Sequence, residues 1–469
     1  MLVALISIVI FMGGDRIFDY SPAILLISAA FALFLTLISG KISKEMLKKG
    51  LRKSAGQILP AVPLLIFIAM ISATWMMSGV VPAMIDYGVR YLNPTTFLAT
   101  ACIICAVVSV MTGSSWTTIA TIGVAFIGIG KIMGYNECWI AGAIISGAYF
   151  GDKVSPLSDT TVVASSSCKV DLFDHIRYLM FTTVPAMSIA LIVFLCVGFA
   201  TTATAVDTSA TPLIAELRTT FNISPWVMVI PFIVVILIAL KVKTLYTLAI
   251  GTALGIAGIF IFQPGILAAI EGEGIHTITD HIAATLSLLW NETTVPASNP
   301  DLSSLLTTGG ILGMTPTIIL VLSAMLFGAA MIGTGMLAVI AVSFTRHLKK
   351  RTSIVGVTVG SGLFLNACTA DQYLSIIIGA NMYRDVYRRY NFEPRLLSRT
   401  IEDSVSVTSV LIPWNSCGIT QSTVLGVATL AYLPCCIFNI LSPLMTLLLA
   451  WTGFKIKNVS RKEVTEFAP

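Results

Sequence analysis

Long apolar runs recur along the chain, separated by short polar stretches that carry glycine, proline or charge. Four of the clearest runs have 16 to 21 residues and span residues 59–79, 225–240, 246–262 and 315–335. A helix needs about 20 apolar residues to cross a hydrocarbon layer of roughly 30 Å. Together with shorter runs, they predict an all-α polytopic membrane protein with roughly 10 to 12 transmembrane segments.

The composition is that of a chain embedded in a lipid bilayer. Of its 469 residues, 56% are hydrophobic and 11% are charged, whereas about a quarter of an ordinary soluble chain is charged. The nine cysteines are odd in number and none has the spacing of zinc ligands. We therefore expect neither a disulfide framework nor a zinc site.

Lysine and arginine are concentrated in residues 41–53, 346–351, 384–399 and 455–462. Basic loops stay on the cytoplasmic side, so these segments and the C-terminus are predicted to be cytoplasmic. Residues 263–308 contain five acidic residues and no lysine or arginine, which predicts an outer position. Because the basic blocks are short and flank apolar runs, topology explains them more simply than a nucleic-acid or lipid-binding surface.

The two halves of the chain resemble each other at an offset of about 251–254 residues. Three pairs of motifs match in the same order: 76–84 with 330–338, 113–122 with 367–376, and 151–165 with 402–416. The third alignment pairs Asp152 with Asp403 and Ser155 with Ser406. The order and the nearly constant offset indicate an internal repeat, with chance similarity between apolar helices as the alternative.

Equivalent loops of the two halves differ in charge. Basic residues 41–53 precede the first repeat, whereas residues 263–308, without a basic residue, precede the second. The loop at residues 384–399 is rich in arginine, but its first-half counterpart near residues 131–138 has one lysine. Equivalent loops that differ in their content of lysine and arginine should face opposite sides of the membrane. This predicts two inverted-topology repeats, an architecture typical of secondary transporters.

These patterns divide the chain into five predicted segments. They are N-terminal membrane segments with a basic loop (1–58), a first inverted repeat (59–201), linking membrane segments with an acidic outer loop (202–312), a second inverted repeat (313–453) and a basic cytoplasmic tail (454–469). Residues 1–12 are apolar but short for a crossing and lack the features of a signal peptide. They are either a short first span or the end of a span that starts upstream.

The stretch "GAYFGDKVSPLSDTT" (147–161) carries charge inside an apolar region. Intramembrane carboxylates are costly and usually face a cavity, and irregular backbone is tolerated there only beside protein or water. Glycine and proline around Asp152 and Asp159 therefore predict a broken helix or re-entrant hairpin. Similar interruptions in the second half surround Asp371, Asp403 and Asn415. Paired interruptions of this kind indicate a transporter's binding site.

The side chains at these breaks offer oxygen atoms. The candidates for a Na+ and H+ pathway are Ser114, Ser115, Asp152, Ser155, Ser158, Asp159, Thr160, Asp371, Asp403 and Asn415. Hard cations take oxygen ligands, so Na+ fits, and Mg2+ or Ca2+ would satisfy the same rule. Burial raises the pKa of a carboxylate, so one group can hold a proton at one pH and a cation at another.

Two of the charged residues have a second interpretation. The sequence "SDTT" around Asp159 is also typical of a helix cap. Lys153 is interpreted first as an ion-pair partner that neutralises an aspartate. Its alternative role is to bind an anionic substrate.

These motifs resemble those of the NhaC-type Na+/H+ antiporter family. The matching stretches are "TGSSW" (112–116), "GDKVSPLSDTT" (151–161), "NACTADQY" (366–373) and "EDSVSVTSVLIPWNSCG" (402–418). The resemblance implies a secondary antiporter of the bacterial inner membrane, built from inverted repeats with re-entrant hairpins. It implies that Na+ and H+ compete at Asp152 and Asp159, with Asp371 and Asp403 as second-half counterparts. Thr117 departs from the family pattern, which often has glycine there.

Other functions stay open as alternatives. Some similar proteins exchange malate for lactate together with Na+ and H+, so a small-carboxylate exchanger that uses Lys153 is the nearest one. An ion channel is disfavoured because the sequence has no repeated pore motif, and no phosphate loop supports an ATP-driven pump. We expect no enzymatic activity, no cofactor beyond the transported ions and no nucleic-acid partner. A homodimer is left open.

Overall fold

The computed structural model describes residues 17–38, 44–59, 61–202, 210–240, 242–266, 278–295, 297–298, 302–303, 306–336 and 350–456. The predicted short first span at residues 1–12 lies outside these ranges. So do most of the basic segment at residues 346–351, part of the acidic outer loop and the tail beyond residue 456. The five predicted segments stay a prediction.

Helices account for nearly all regular structure, as the apolar runs predict. In the first half they are α1 (Ile17–Ile38), α2 (Lys44–Ile58), α3 (Ala61–Met77), α4 (Val80–Tyr91), α5 (Phe97–Thr112), α6 (Ser115–Thr118), α7 (Val124–Ile132), α8 (Glu137–Val154), α9 (Asp159–Ser167) and α10 (Leu172–Thr202). A π-helical segment (Ile119–Gly123) joins α6 to α7, and a 3-10 turn (Pro94–Thr96) precedes α5.

The remaining helices follow toward the C-terminus. They are α11 (Ala210–Thr220), α12 (Val229–Ala239), α13 (Thr244–Phe262), α14 (Ile278–Trp290), α15 (Gly310–Gly313), α16 (Thr315–Gly333), α17 (Arg351–Thr369), α18 (Gln372–Arg389), α19 (Pro394–Ile401), α20 (Ser416–Leu425), α21 (Thr429–Tyr432) and α22 (Ile437–Thr452). A second π-helical segment (Glu402–Ser406) continues α19, and 3-10 turns lie at Pro225–Met228, Ser409–Leu411 and Leu433–Cys435. Strands β1 (Thr293–Thr294) and β2 (Thr307–Thr308) pair antiparallel.

The fold is an all-α polytopic membrane fold with broken helices. Six helices in the described residues are long and apolar enough to cross a membrane, and nine spans result if each bent helix pair is one span. The bends are 67° between α3 and α4, 90° at the α11–α12 junction and 58° between α21 and α22. Sequence analysis expects 10 to 12 segments, a count that includes stretches outside the described residues.

Helices α5 and α8 pack with their backbones in contact. A Cβ atom on Gly147 would lie 2.1 Å from the carbonyl oxygen of Cys102, and one on Gly151 would lie 2.3 Å from that of Ala106. Small residues at a helix interface permit such an approach inside a membrane. The contact holds the C-terminal end of α8, which carries Asp152, against the end of α5.

Candidate functional site

The first break in the helices follows α5. Gly113 adopts a left-handed backbone conformation (φ 65°), and Ser114 is extended and caps α6. A Cβ atom on Gly113 would lie 2.6 Å from the backbone of Leu157. Glycine is therefore required at position 113 for two reasons: its φ angle is positive, and the backbone of the second break lies too close for a side chain.

The second break follows α8 and lies against the first. Ser155 donates its hydroxyl to the Val110 carbonyl (2.7 Å) and so ties the turn to α5. Pro156 and Leu157 cross the turn, and Ser158 then caps α9, accepting from the Thr161 amide. Gly and Pro in the sequence predicted this interruption. A helix begins at this stretch as predicted, but Ser158 is the capping residue and Asp159, for which the cap was considered, is the first residue of α9.

Asp152 is bound by hydroxyls from both breaks. Its Oδ2 accepts from the Ser115 amide (3.2 Å) and hydroxyl (2.7 Å), and its Oδ1 accepts from the Ser158 hydroxyl (2.6 Å). The Ser158 and Thr160 hydroxyls lie 2.9 Å apart. Asp152 is 9% exposed. The result is one buried carboxylate inside a set of hydroxyl oxygens that rotation can turn from donors into cation ligands.

A cavity of about 1000 Å³ opens beside this carboxylate. Its polar wall comes from the two breaks and includes Ser114, Asp152, Asp159 and Thr160. The rest of the wall is mixed: α3 and α12 contribute apolar side chains, the start of α13 contributes Lys243 and Thr244 beside apolar ones, and α18 contributes Tyr373. Asp159 is exposed. An ion can therefore reach Asp152 through this cavity from the protein surface.

The second half contains the same pair of breaks. Ala370, left-handed at φ 56°, ends α17 as Gly113 ends α5, and Asp371 caps α18 as Ser114 caps α6. Asn415 caps α20 as Ser158 caps α9. These pairs are 257 positions apart, as 113 and 370 are. Equivalent bends in the two halves give structural support for the predicted repeat.

Hydrogen bonds repeat with the same spacing. The Ser114 amide donates to the Thr112 hydroxyl, as the Asp371 amide donates to the Thr369 hydroxyl. Ser109 donates to the Ala148 carbonyl, as Asn366 donates to the Val405 carbonyl. The bond between Ser115 and Asp152 corresponds to the bond between Gln372 and Ser409.

The alignment of the two halves expected from the sequence is thus wrong by about six residues at the third motif. Asp152 corresponds to Ser409 and not to Asp403, and Ser155 corresponds to Ile412 and not to Ser406.

The candidates in the second half separate into two places. Asp371 is buried, and its Oδ1 accepts from the Leu374 amide (2.8 Å) while Ser416 approaches its Oδ2 (3.5 Å). Asn415 bonds the Cys417 amide and the Asn366 carbonyl. Neither Asp371 nor Asn415 is among the residues that line the cavity beside Asp152.

Asp403 lies in a separate buried ion pair with Lys153. The Lys153 ammonium donates to Asp403 Oδ1 and to the Ser442 hydroxyl (2.9 Å). Asp403 also accepts from Ser442 (2.8 Å) and Thr446, so both of its oxygens are engaged. Lys153 and Asp403 are 1% and 0% exposed. The ion-pair interpretation of Lys153 agrees with this geometry, and the partner comes from the other half of the chain.

Sequence reasoning missed two groups of residues. Ser442 and Thr446 are four positions apart on the otherwise apolar α22, a spacing that places both on one face. That signal was available in the sequence. Arg399 and His175 are fully buried, and His175 lies near the Lys153–Asp403 pair. Arg399 ends the arginine-rich segment predicted to be a cytoplasmic loop, and its burial was not expected because the Tyr178 ring that it covers is distant in the chain. The Ser398 hydroxyl that His175 meets is equally distant in the chain.

Comparison with known proteins agrees with the motifs. A sequence model of the Na+/H+ antiporter family matches residues 2–182 and 147–454. The Na(+)/H(+) antiporter NhaC of Alkalihalophilus pseudofirmus is 34% identical over 433 residues, 92% of this chain and 89% of the relative. The malate-2H(+)/Na(+)-lactate antiporter of Bacillus subtilis is 33% identical over 396 residues, 84% of this chain and 81% of the relative.

Among solved structures, Neisseria gonorrhoeae MtrF aligns over 92% of this chain and 97% of its own, with a TM-score of 0.42 and 12% identity. The sequence relatives have much higher identity to this chain, and they confirm the family resemblance that the motifs predicted. Family match and relatives both extend over nearly the whole length of the sequence. The chain belongs to the Na+/H+ antiporter family.

Proposed function

We propose that this protein exchanges Na+ for H+ across the bacterial inner membrane, with its C-terminus in the cytoplasm. The observation that carries the proposal is the Asp152 carboxylate, buried, surrounded by hydroxyls and reached from a large cavity. Family membership and the NhaC relatives support the choice of ions. The basic segments beside apolar runs support the orientation.

Competition at one carboxylate is the proposed mechanism. When Asp152 is ionised, its oxygens and the hydroxyls of Ser115, Ser158 and Thr160 form an oxygen site for Na+. When Asp152 is protonated, it loses the negative charge that balances Na+. Because the site holds either ion but not both, it carries them in opposite directions as access alternates between the two sides.

The broken helices support this mechanism, because both breaks supply hydrogen bonds to Asp152. Asp152 is fixed by α8, but two of its three hydrogen bonds come from Ser115 at the start of α6, and the third comes from Ser158. A shift of either break changes the ligand set directly. Phe232 on α12 (64% exposed) and Leu240 directly after that helix (69% exposed) are large apolar side chains that suit contact with lipid. A homodimer stays open as an alternative.

An exchanger of small carboxylates is the second candidate, supported by the malate/lactate relative. Lys153, the cation predicted to bind such a substrate, is buried in its pair with Asp403 and does not line the cavity. Among the cavity-lining residues that the structure describes, the basic one is Lys243, at the N-terminal end of α13. Because the lysine predicted to bind the anion is engaged by Asp403 and does not reach the cavity, we favour exchange of Na+ for H+ without an obligatory organic acid, with Lys243 as the lysine that the second candidate would need.

Reconstitution into sealed proteoliposomes tests which of the two exchange reactions the protein carries out. We expect an inward Na+ gradient to drive proton efflux from the vesicles with Na+ alone, and malate or lactate to leave the rate within about twofold. The measurement is the fluorescence of a trapped pH indicator, with protein-free vesicles as the control. Proton movement that requires an organic acid would establish the second candidate and contradict the first.

Competition also predicts that acid weakens Na+ binding. On the acidic side of the carboxylate's titration, we expect the apparent Na+ affinity to fall about tenfold for each pH unit, because each bound proton excludes Na+. The measurement is the Na+ concentration for half-maximal exchange at a series of pH values. A Na+ affinity that does not change with pH would show that the two ions use separate sites.

A further inference from the structure

Two of the nine cysteines meet where α8 begins and the turn before α22 ends. Cys435 ends the 3-10 turn and packs closely on α8, because a Cβ atom on Gly142 would lie 2.6 Å from the Cys435 Cβ atom. Cys138 is in the first turn of α8, four residues before Gly142 and so on the same face of that helix. The two thiols, Cys138 and Cys435, are close enough to interact electrostatically.

The contact between α8 and α22 continues from these cysteines toward the middle of the protein. The Ser146 hydroxyl accepts from the Phe438 amide (3.4 Å), and the Phe150 ring lies 5.7 Å from the Phe438 ring. One turn further along each helix, Lys153 donates to Ser442 (2.9 Å). The two helices therefore run side by side in the same direction, with the two cysteines at one end and the buried Lys153 ion pair at the other.

The cysteine end of this contact is predicted to face the outside. At its other end, α22 leads into basic residues 455–462, which are predicted to be cytoplasmic. Gly134, Asn136 and Pro434 are exposed beside the cysteines, so solvent reaches this end of the two helices. Disulfides form and persist outside the cytoplasmic membrane, whereas thiols stay reduced inside.

Access to the two thiols is unequal. Cys138 is partly exposed, and Cys435 is buried behind it. Of the other seven cysteines, Cys196 is exposed on α10, and the remaining six are buried. An oxidant in solution can therefore reach Cys138 first, and Cys435 is the neighbouring thiol that can then react with it.

We propose that Cys138 and Cys435 form a disulfide that fastens α8 to α22 at the outer face. A disulfide requires Cα atoms less than about 7 Å apart. Both cysteines lie in terminal turns of helical segments, which adjust more easily than helix interiors. A single bridge is compatible with the sequence, which disfavours only a framework of several disulfides.

The oxidant in this reaction is an external disulfide, from a small molecule or a thiol oxidoreductase. The Cys138 thiolate attacks one sulfur of that disulfide, releases its other sulfur as a thiolate and becomes a mixed disulfide. The Cys435 thiolate then attacks the Cys138 sulfur and releases the second external thiolate. The protein loses two electrons and two protons, and the external disulfide gains both and becomes two thiols.

The bridge should stabilise the protein without stopping transport. It closes a long loop of the chain, from the first half to the second, and such loops gain most from a cross-link. We expect oxidation to raise the melting temperature by roughly 3–6 °C, and a reductant to reverse the rise. Because α8 and α22 are already in contact, the rate of Na+/H+ exchange should change by less than about twofold.

The test is the number of free thiols in the full-length protein. Reduced protein in right-side-out membrane vesicles is treated with oxidised glutathione, which does not cross the membrane, then denatured and labelled with a maleimide. The number of labelled thiols should fall from nine to seven, and dithiothreitol should restore nine. Mass spectrometry should find tryptic peptides 132–153 and 400–455 joined, with fragmentation locating the bridge at Cys138 and Cys435.

Three variants complete the test. Cys138→Ser and Cys435→Ser should each keep all eight remaining thiols after oxidation. Cys196→Ser, which removes the exposed cysteine of α10, is the matched control and should fall from eight to six. Nine labelled thiols in the oxidised wild-type protein, or a bridge between other cysteines, overturns the proposal whether or not any variant folds.

The side of the membrane is tested in the same way. Oxidation in right-side-out vesicles supports the outer position, and oxidation only in inside-out vesicles overturns it. Thiol counts and joined peptides do not depend on transport. Failure of the proposed exchange of Na+ for H+ is therefore distinguishable from failure of the disulfide.

Discussion

An Asp152→Asn variant is expected to lose Na+/H+ exchange by about 100-fold or more. Asparagine fits the same space but carries no charge to balance Na+ and no proton to exchange. Hydrogen bonds to a charged group are worth about 1.5–3 kcal/mol each, and about 1.4 kcal/mol is a factor of ten. The measurement is the initial rate of Na+-driven proton movement in proteoliposomes with equal amounts of inserted protein.

Asp159→Asn is the matched control for this change. Both aspartates line the same cavity, but Asp152 accepts three hydrogen bonds while Asp159 is exposed at the first turn of α9. We expect the control to lower the rate by no more than about threefold. Equal losses in the two variants would show that both carboxylates bind the ion. A wild-type rate in a well-inserted Asp152→Asn protein would remove Asp152 from the mechanism.

The positions of the breaks could be predicted because backbone chemistry determines them locally. Pro156 cannot continue a helix, and Gly113 takes the left-handed conformation that ends α5. Serine and asparagine are good helix caps, and the second half uses the same types after Pro413. Breaks inside apolar runs then indicate a binding site. Each break depends on a few neighbouring residues, so the sequence was sufficient to locate it, and the binding site stays a prediction.

The register between the halves could not be predicted in the same way. The structurally equivalent caps are Ser114 with Asp371 and Ser158 with Asn415. Because several residue types cap a helix equally well, equivalent positions need not share a letter. Matching aspartate with aspartate therefore favoured the wrong offset. The two halves share hydrogen bonds rather than residue types, and these bonds can be recognised only in the three-dimensional structure.

The sequence also did not reveal how the buried carboxylates are distributed between the two halves. Each half has one buried carboxylate at its pair of breaks, but Asp152 belongs to the second break of the first half and Asp371 to the first break of the second half. The cavity reaches Asp152 and not Asp371. Two repeats of similar backbone therefore have different chemistry. Under the proposed mechanism, the first half holds the exchanged ion and the second half supplies supporting structure.

Lys153→Met is expected to lower the free energy of unfolding by about 3–5 kcal/mol, because it leaves Asp403 buried without its cation. The double variant Lys153→Met/Asp403→Asn should recover most of that loss, since asparagine is neutral and can still bond Ser442 and Thr446. The measurement is unfolding by a denaturing detergent in mixed micelles, analysed as a double-mutant cycle.

The control is Lys131→Met, which breaks a partly exposed pair with Glu137 (2.7 Å). It should lower the free energy of unfolding by less than about 1 kcal/mol. If Lys153→Met is as stable as this control, the pair that joins the two halves does not hold them together.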